Sequence, residues 1–214
     1  MGSEMCIRDR AYAGGWAEGW YAPPLNAHSP AVRAWTAERL YTYLRTGLSS
    51  THAAAAGPMG EVARNLAQVP DADVRAIATY YASQMANAPA AHREPPLPDR
   101  KSAATRAQPE GAALFAGACA TCHEPGAPMI VAGRPPLPFG TQFHETTPRD
   151  MIQTILHGVS PPVGARGPYM PAFRGTLTDA QVAEIVSYLQ ARYGSVRWKD
   201  LDKEVAKARK EGQQ

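Results

Sequence analysis

A chain of 214 residues, 44% hydrophobic and 19% charged, has room for one or two domains of ordinary composition. Its formal charge of +3 is weak and scattered, which argues against a nucleic-acid binder, and three cysteines (Cys6, Cys119, Cys122) are too few and too odd for a disulfide framework. No stretch approaches the run of about 18 apolar residues that a membrane span needs. Twenty prolines, abundant alanine and few alternating β-branched stretches predict an all-α chain of short helices joined by stiff loops.

Taken in order, residues 1–13 are unassigned. MGSEMCIRDR is charged, lacks the apolar core of a secretory leader and reads as adapter-like rather than natural sequence. Residues 14–86 begin with Trp/Gly-rich loops and continue with helical patterns over Ala31–Thr46 and Asp71–Met85. Residues 87–107, rich in proline, alanine and charge, read as a semi-extended linker.

Residues 108–194 read as a second unit with three helices. The first runs Pro109–Ala118, with Leu114 and Phe115 apolar. The second runs Pro148–His157, with Met151, Ile152, Ile155 and Leu156 on one face and Gly158 as its stop. The third runs Asp179–Tyr193, with Thr178 and Gln181 in capping-box spacing, a Val182/Ile185/Val186/Leu189 stripe, and Gly194 beyond it. Within 195–214 a solvated helix of alternating charge is expected over 199–210, with Leu201, Val205 and Ala208 along one side.

The two units read as a repeat. Gly47 precedes Met59 by 12 residues, and Gly158 precedes Met170 by 12. Val74, Ile77 and Tyr80 match Val182, Ile185 and Tyr188 in order and spacing. The first copy has no Cys-x-x-Cys-His ahead of it, so it reads as a partial domain.

Cys119-Ala-Thr-Cys122-His123 is the strongest chemical signal in the chain. Two thiols at this spacing add to the two vinyl groups of a haem, and the adjacent histidine becomes the proximal iron ligand. The competing readings are a thiol-redox site, which wants a βαβ context that is not visible, and half of a zinc site, for which His144 and His157 are the nearby partners. Five residues after the motif offer a sixth iron ligand: Met129, Met151, Met170, His144 and His157. Met151 falls in a helical core stripe, and Met129 stands too close to the motif. Met170 lies 47 residues after His123 in a segment flanked by Pro168 and Pro171, which favours it. A backbone carbonyl of Pro135-Pro136 is the expected acceptor for the free ring nitrogen of His123. Arg134, Arg166 and Arg174 are candidates for pairing with haem propionates, with plain surface charge as the alternative for each. Cys6 lacks the motif and has no haem role.

These residues resemble a class I cytochrome c domain over 108–193. The elements that carry the likeness are Gly111 and Phe115, the Cys119–His123 motif, Pro135-Pro136-Leu137, Met170-Pro171-x-Phe173 and Tyr188-Leu189. The resemblance implies that the first and last helices cross, with Gly111 against Tyr188. From about residue 14 the chain also resembles the later part of the multihaem cytochrome c subunits of periplasmic alcohol, gluconate, aldehyde and nicotinate dehydrogenases. Gly19-Trp-Tyr-Ala-Pro23, Tyr43-Leu-Arg-Thr-Gly47 and Gly57-Pro-Met-Gly-Glu-Val62 match their middle domain.

The likeness implies an electron carrier rather than an enzyme, with one haem c per chain held by Cys119 and Cys122 and ligated by His123 and Met170. It also implies a dehydrogenase catalytic subunit as donor, quinone or a terminal oxidase as acceptor, and a periplasmic location, with the leader and an upstream haem domain removed by truncation. Met59 is then the orphan axial candidate of the partial domain, on an apolar surface that favours association. A catalytic haem protein of the dihaem peroxidase type is the alternative, and it requires an open sixth position.

Overall fold

The computed structural model describes residues 11–89, 98–161, 163–164 and 169–211. The expectations for Cys6, Arg166 and Pro168 lie outside these residues. The described chain is mostly helical, with one small sheet.

That sheet corrects the expectation of loops near the N-terminus. Gly15–Ala17 (β1) pairs antiparallel with Trp20–Ala22 (β2), placing Trp16 opposite Tyr21. Glu18 and Gly19 between them have φ of 52° and 77°, the two positive values a two-residue hairpin turn needs to match the twist of its strands. Three-residue strands are too short to show alternation in a sequence.

The first helix, α1, spans Ala37–Thr46. It begins six residues later than expected because Thr36 caps it, accepting the Arg39 N–H at 3.2 Å. Gly47, at φ 74°, ends it. Helix α2 (Pro58–Leu66) and helix α3 (Asp71–Gln84) follow. Leu40, Leu44, Val74, Ala78 and Met85 form the core between α1 and α3, with Trp35, Tyr43, Met59 and Ile77 packed around it.

The second unit contains α4 (Lys101–Ala107), α5 (Pro109–Ala118), α6 (Ala120–His123), α7 (Pro128–Val131) and 3-10 turns at Leu137–Phe139 and Thr141–Phe143. Helices α8 (Arg149–His157), α9 (Asp179–Tyr193) and α10 (Leu201–Glu211) complete it. Helix α9 is the centre of the unit. Its N-terminus carries the full Thr178/Gln181 capping box, and Val182, Ile185, Val186, Tyr188 and Leu189 are buried. Helix α5 crosses it closely at Gly111, where a Cβ would come within 2.2 Å of the Glu184 carbonyl oxygen and 2.8 Å of the Tyr188 Cβ. Only glycine permits that approach. One turn on, the Phe115 and Tyr188 rings meet with centroids 5.4 Å apart.

Two expected boundaries move. Residues 98–107 belong to the second unit: the alanine-rich run forms α4, Ala104 enters the core, and Asp99 pairs with Arg192 of α9. The C-terminal helix is packed rather than solvated. Val205 and Ala208 are buried with the core, Glu204 and Glu211 pair with Arg149 of α8, and Arg209 pairs with Asp179 of α9. Three of its charges, Glu204, Arg209 and Glu211, pair across helices, which the sequence pattern does not distinguish from pairing with water.

The units touch through the hairpin and α8. The Tyr21 N–H donates to Asp150 Oδ1 at 2.7 Å, and Gln153 Nε2 donates to the Gly19 carbonyl at 3.1 Å.

Candidate functional site

Helix α5 ends at Cys119, whose N–H still donates to the Phe115 carbonyl at 2.9 Å. The Cys119 carbonyl then accepts the N–H groups of Cys122 at 3.1 Å and His123 at 3.0 Å. The Cys-x-x-Cys-His run therefore closes into a single helical turn, which stacks Cys122 and His123 over Cys119. Both cysteines are free thiols, Cys119 half-buried and Cys122 exposed. Burial, with a contribution from Cys122, pushes the Cys119 thiol up to about 11. Burial lowers the pKa of His123 and keeps a neutral imidazole, the state that donates to a metal. Among the described residues no hydrogen bond joins its ring to Pro135 or Pro136; the acceptor expected there does not appear.

Met170 lies on a segment that folds back onto α8. The Val159 N–H donates to the Met170 carbonyl at 3.0 Å, the Phe173 N–H to Ile155 at 3.0 Å and the Arg174 N–H to Leu156 at 3.2 Å. Gly158 makes the close return possible: it sits at φ 71°, and a Cβ there would stand 2.4 Å from the Met170 carbonyl oxygen. Met170 shares the edge of one core with half-buried Cys119, Ala120, Leu137 and Phe173. Two thiols, a neutral imidazole, a thioether and this apolar rim suit a haem bound by thioether bonds and ligated on both faces.

The other ligand candidates are placed differently. Met151 is core, 3% exposed. Met129 stands on α7, His157 is exposed, and His144 Nδ1 bonds Ser195 Oγ at 2.9 Å. No group of three His, Cys, Asp or Glu residues able to hold a metal ion occurs among the described residues, which gives the zinc reading no support. Met59 corrects the repeat at the level of conformation. It lies in the first turn of α2 and packs on the first unit's core, so it is not part of an exposed apolar patch. Met170, by contrast, is extended and bridged to Val159. The bridge after Gly47 instead joins Leu48 to Ala54.

Of the proposed propionate partners, Arg174 donates through Nη2 to the Arg209 carbonyl, while its Nη1 is buried without a partner among the described residues. The side chain of Arg134 is half-buried.

Sequence reasoning missed Arg192. This fully buried arginine holds Asp99 through Nε at 2.9 Å and Nη2 at 3.1 Å, and Glu124 through Nη1 at 2.6 Å and Nη2 at 3.2 Å. Glu124 follows His123 directly, so α9 grips the exit of the motif turn. The available signal was an arginine three residues after Leu189 on the buried stripe. Also missed were Glu145 and Asp150. Burial pushes Glu145 up to about 8, helped by the Asp150 charge. Burial likewise raises Asp150 to about 6, opposed by the Tyr21 N–H and by Arg149.

Residues 106–189 match the family model described as cytochrome c oxidase, cbb3-type, subunit III. Over 92% of its length the chain is 36% identical to a subunit of the nicotinate dehydrogenase of Pseudomonas putida, covering 17% of that protein. It is 33% identical to the fructose dehydrogenase cytochrome subunit of Gluconobacter japonicus, over 83% of this chain and 41% of that one. It is 27% identical to the cytochrome c subunit of the quinone alcohol dehydrogenase of Gluconacetobacter polyoxogenes, over 83% and 40%. The chain thus spans less than half the length of these relatives. Residues 106–189 therefore carry a match to this cytochrome family model, within a chain similar over most of its length to subunits of dehydrogenases.

Proposed function

We propose that this chain is an electron carrier that bears one covalent haem c. The observation that supports the reading is the single helical turn at Cys119–His123, which gathers two thiols and an imidazole in haem-attachment spacing, with Cys119 and Met170 both packed on one core. When bound, the haem supplies a one-electron iron couple. Cys119 and Cys122 would tether it by thioether bonds, and His123 and Met170 would hold its iron, a thioether ligand favouring the reduced metal. Glu124, fixed by Arg192, anchors the exit of the motif turn. The apolar side chains of Ala120, Leu137 and Phe173 would help to keep water from the bound haem.

The likeness to dehydrogenase subunits supports a dehydrogenase catalytic subunit as electron donor, with quinone or a terminal oxidase as acceptor, in the periplasm. No helix among the described residues is long and apolar enough to cross a membrane. The first unit (14–86 by its sequence pattern) carries no haem here, and Met59 serves its packing.

The test is expression with haem-maturation machinery. The expected product has a reduced c-type spectrum and one reversible one-electron wave, and Met170→Ala lowers the potential. An unchanged ferric spectrum and potential in Met170→Ala would remove methionine ligation and favour a catalytic haem.

A further inference from the structure

A cation shielded from water stands against the motif turn. The Arg192 side chain is fully buried, whereas its partners Asp99 and Glu124 keep 39% and 22% of their side-chain surface exposed. The Phe115 and Tyr193 rings flank its guanidinium, with centroids 5.7 and 4.7 Å away. Phe115 stands one turn before Cys119, and its carbonyl takes the Cys119 N–H at 2.9 Å. Glu124 is the residue bonded directly to His123. Arg192 therefore meets the Cys119–His123 turn both at its entry and at its exit. Lys101 completes the cluster, its ammonium 3.1 Å from Glu124 Oε2 and more than half exposed. Two cations and two carboxylates cancel in formal charge, but not in field. Water screens Asp99, Glu124 and Lys101, each of them partly exposed, and does not reach Arg192. The part of the field left uncompensated is positive, and it arises next to the histidine of the motif.

We propose that Arg192 is a fixed positive charge that raises the reduction potential of a haem held at Cys119–His123. Ferric iron carries one more positive charge than ferrous iron, so a buried cation beside the site favours the reduced state. This role is separate from the grip on Glu124: the grip holds the turn, and the charge sets the potential. The inference rests on the reading of Cys119, Cys122 and His123 as a haem site.

The test is redox titration of the haem-matured protein and three variants. Arg192→Gln removes the charge and keeps an amide donor. It is expected to lower the equilibrium constant for reduction about fourfold to fifteenfold, the effect of one charge acting over roughly 10–20 Å at an effective dielectric of about 20. Glu124→Gln removes the opposing carboxylate, keeps an acceptor for the guanidinium, and is expected to shift the potential upward. Arg192→Lys keeps the charge without the planar fork and is expected to match the wild type. A loosened turn would move Arg192→Gln and Glu124→Gln in the same direction, so shifts of opposite sign are the signature of charge. Shifts of one sign in both, no shift in either, or a fall in Arg192→Lys equal to that in Arg192→Gln overturns the proposal. Should Arg192→Gln fail to accumulate, Glu124→Gln decides: an upward shift supports the proposal, and an unchanged or lower potential overturns it. A wild type that carries no covalent haem overturns the haem reading and the proposal together, whereas unmoved potentials on an attached haem overturn the proposal alone.

Discussion

Two residues outside the proposed ligand set shape the chain next to it. Gly158 is the first. At φ 71° and ψ −168° it occupies backbone space that L side chains rarely adopt, and its missing Cβ is where the Met170 carbonyl lies. Gly158→Ala is expected to cost about 1–3 kcal/mol in stability, and to weaken the methionine band of the ferric protein at temperatures where helicity is intact. A variant that keeps both the band and the wild-type melting temperature would show that the segment yields freely. Arg192 is the second. Its guanidinium is completely buried and its carboxylate partners are only partly so, which makes the arginine the desolvated member. Arg192→Leu leaves Glu124 without its main partner and is expected to destabilise the domain by about 3 kcal/mol, read from denaturant midpoints. Neither role is visible in a sequence pattern. Gly158 reads as a helix stop, and Arg192 has no reading in the sequence beyond its place after Leu189, because both act through contacts with chain distant in sequence.

Among the elements, α5, α8 and α9 follow from the sequence with at most one residue of difference, since long apolar stripes and a capping box leave little choice. The hairpin, α4 and the packed α10 do not. Each owes its place to tertiary partners: Asp150 and Gln153 for the hairpin, Arg192 and the core for the region of α4, Arg149 and Asp179 for α10.

The entry to α8 has a pH dependence of its own. Glu145 is 3% exposed, its Oε2 has no partner among the described residues, and the Asp150 carboxylate faces it. The folded state holds its proton up to about 8, whereas an unfolded glutamate releases it near 4.3. Between these values the folded chain binds more protons than the unfolded one, so this group lowers stability progressively as pH rises through that window. Glu145→Gln mimics the protonated acid. It is expected to raise stability by a few kcal/mol at pH 8 and by almost nothing near pH 4. A gain independent of pH would mean that Glu145 is not held protonated.

For the molecule as a whole, positions that the sequence pattern pairs differ in the structure: Tyr80 is 49% exposed where Tyr188 is 2%, and the two methionines differ in conformation. Val74 and Val182 are both buried on matching helices, yet Met59 is helical and packed while Met170 is extended and bridged. Spacing records the number of residues between glycine and methionine, and the conformation they adopt depends on what lies opposite. The two units share a helix pattern, and Cys119–His123 and Met170 belong to the second. The most direct measurement is the mass of the purified chain matured with haem, followed by peptide mapping. One haem attached to the peptide containing Cys119 and Cys122 is the expected result; an unmodified chain, or two haems, would contradict it.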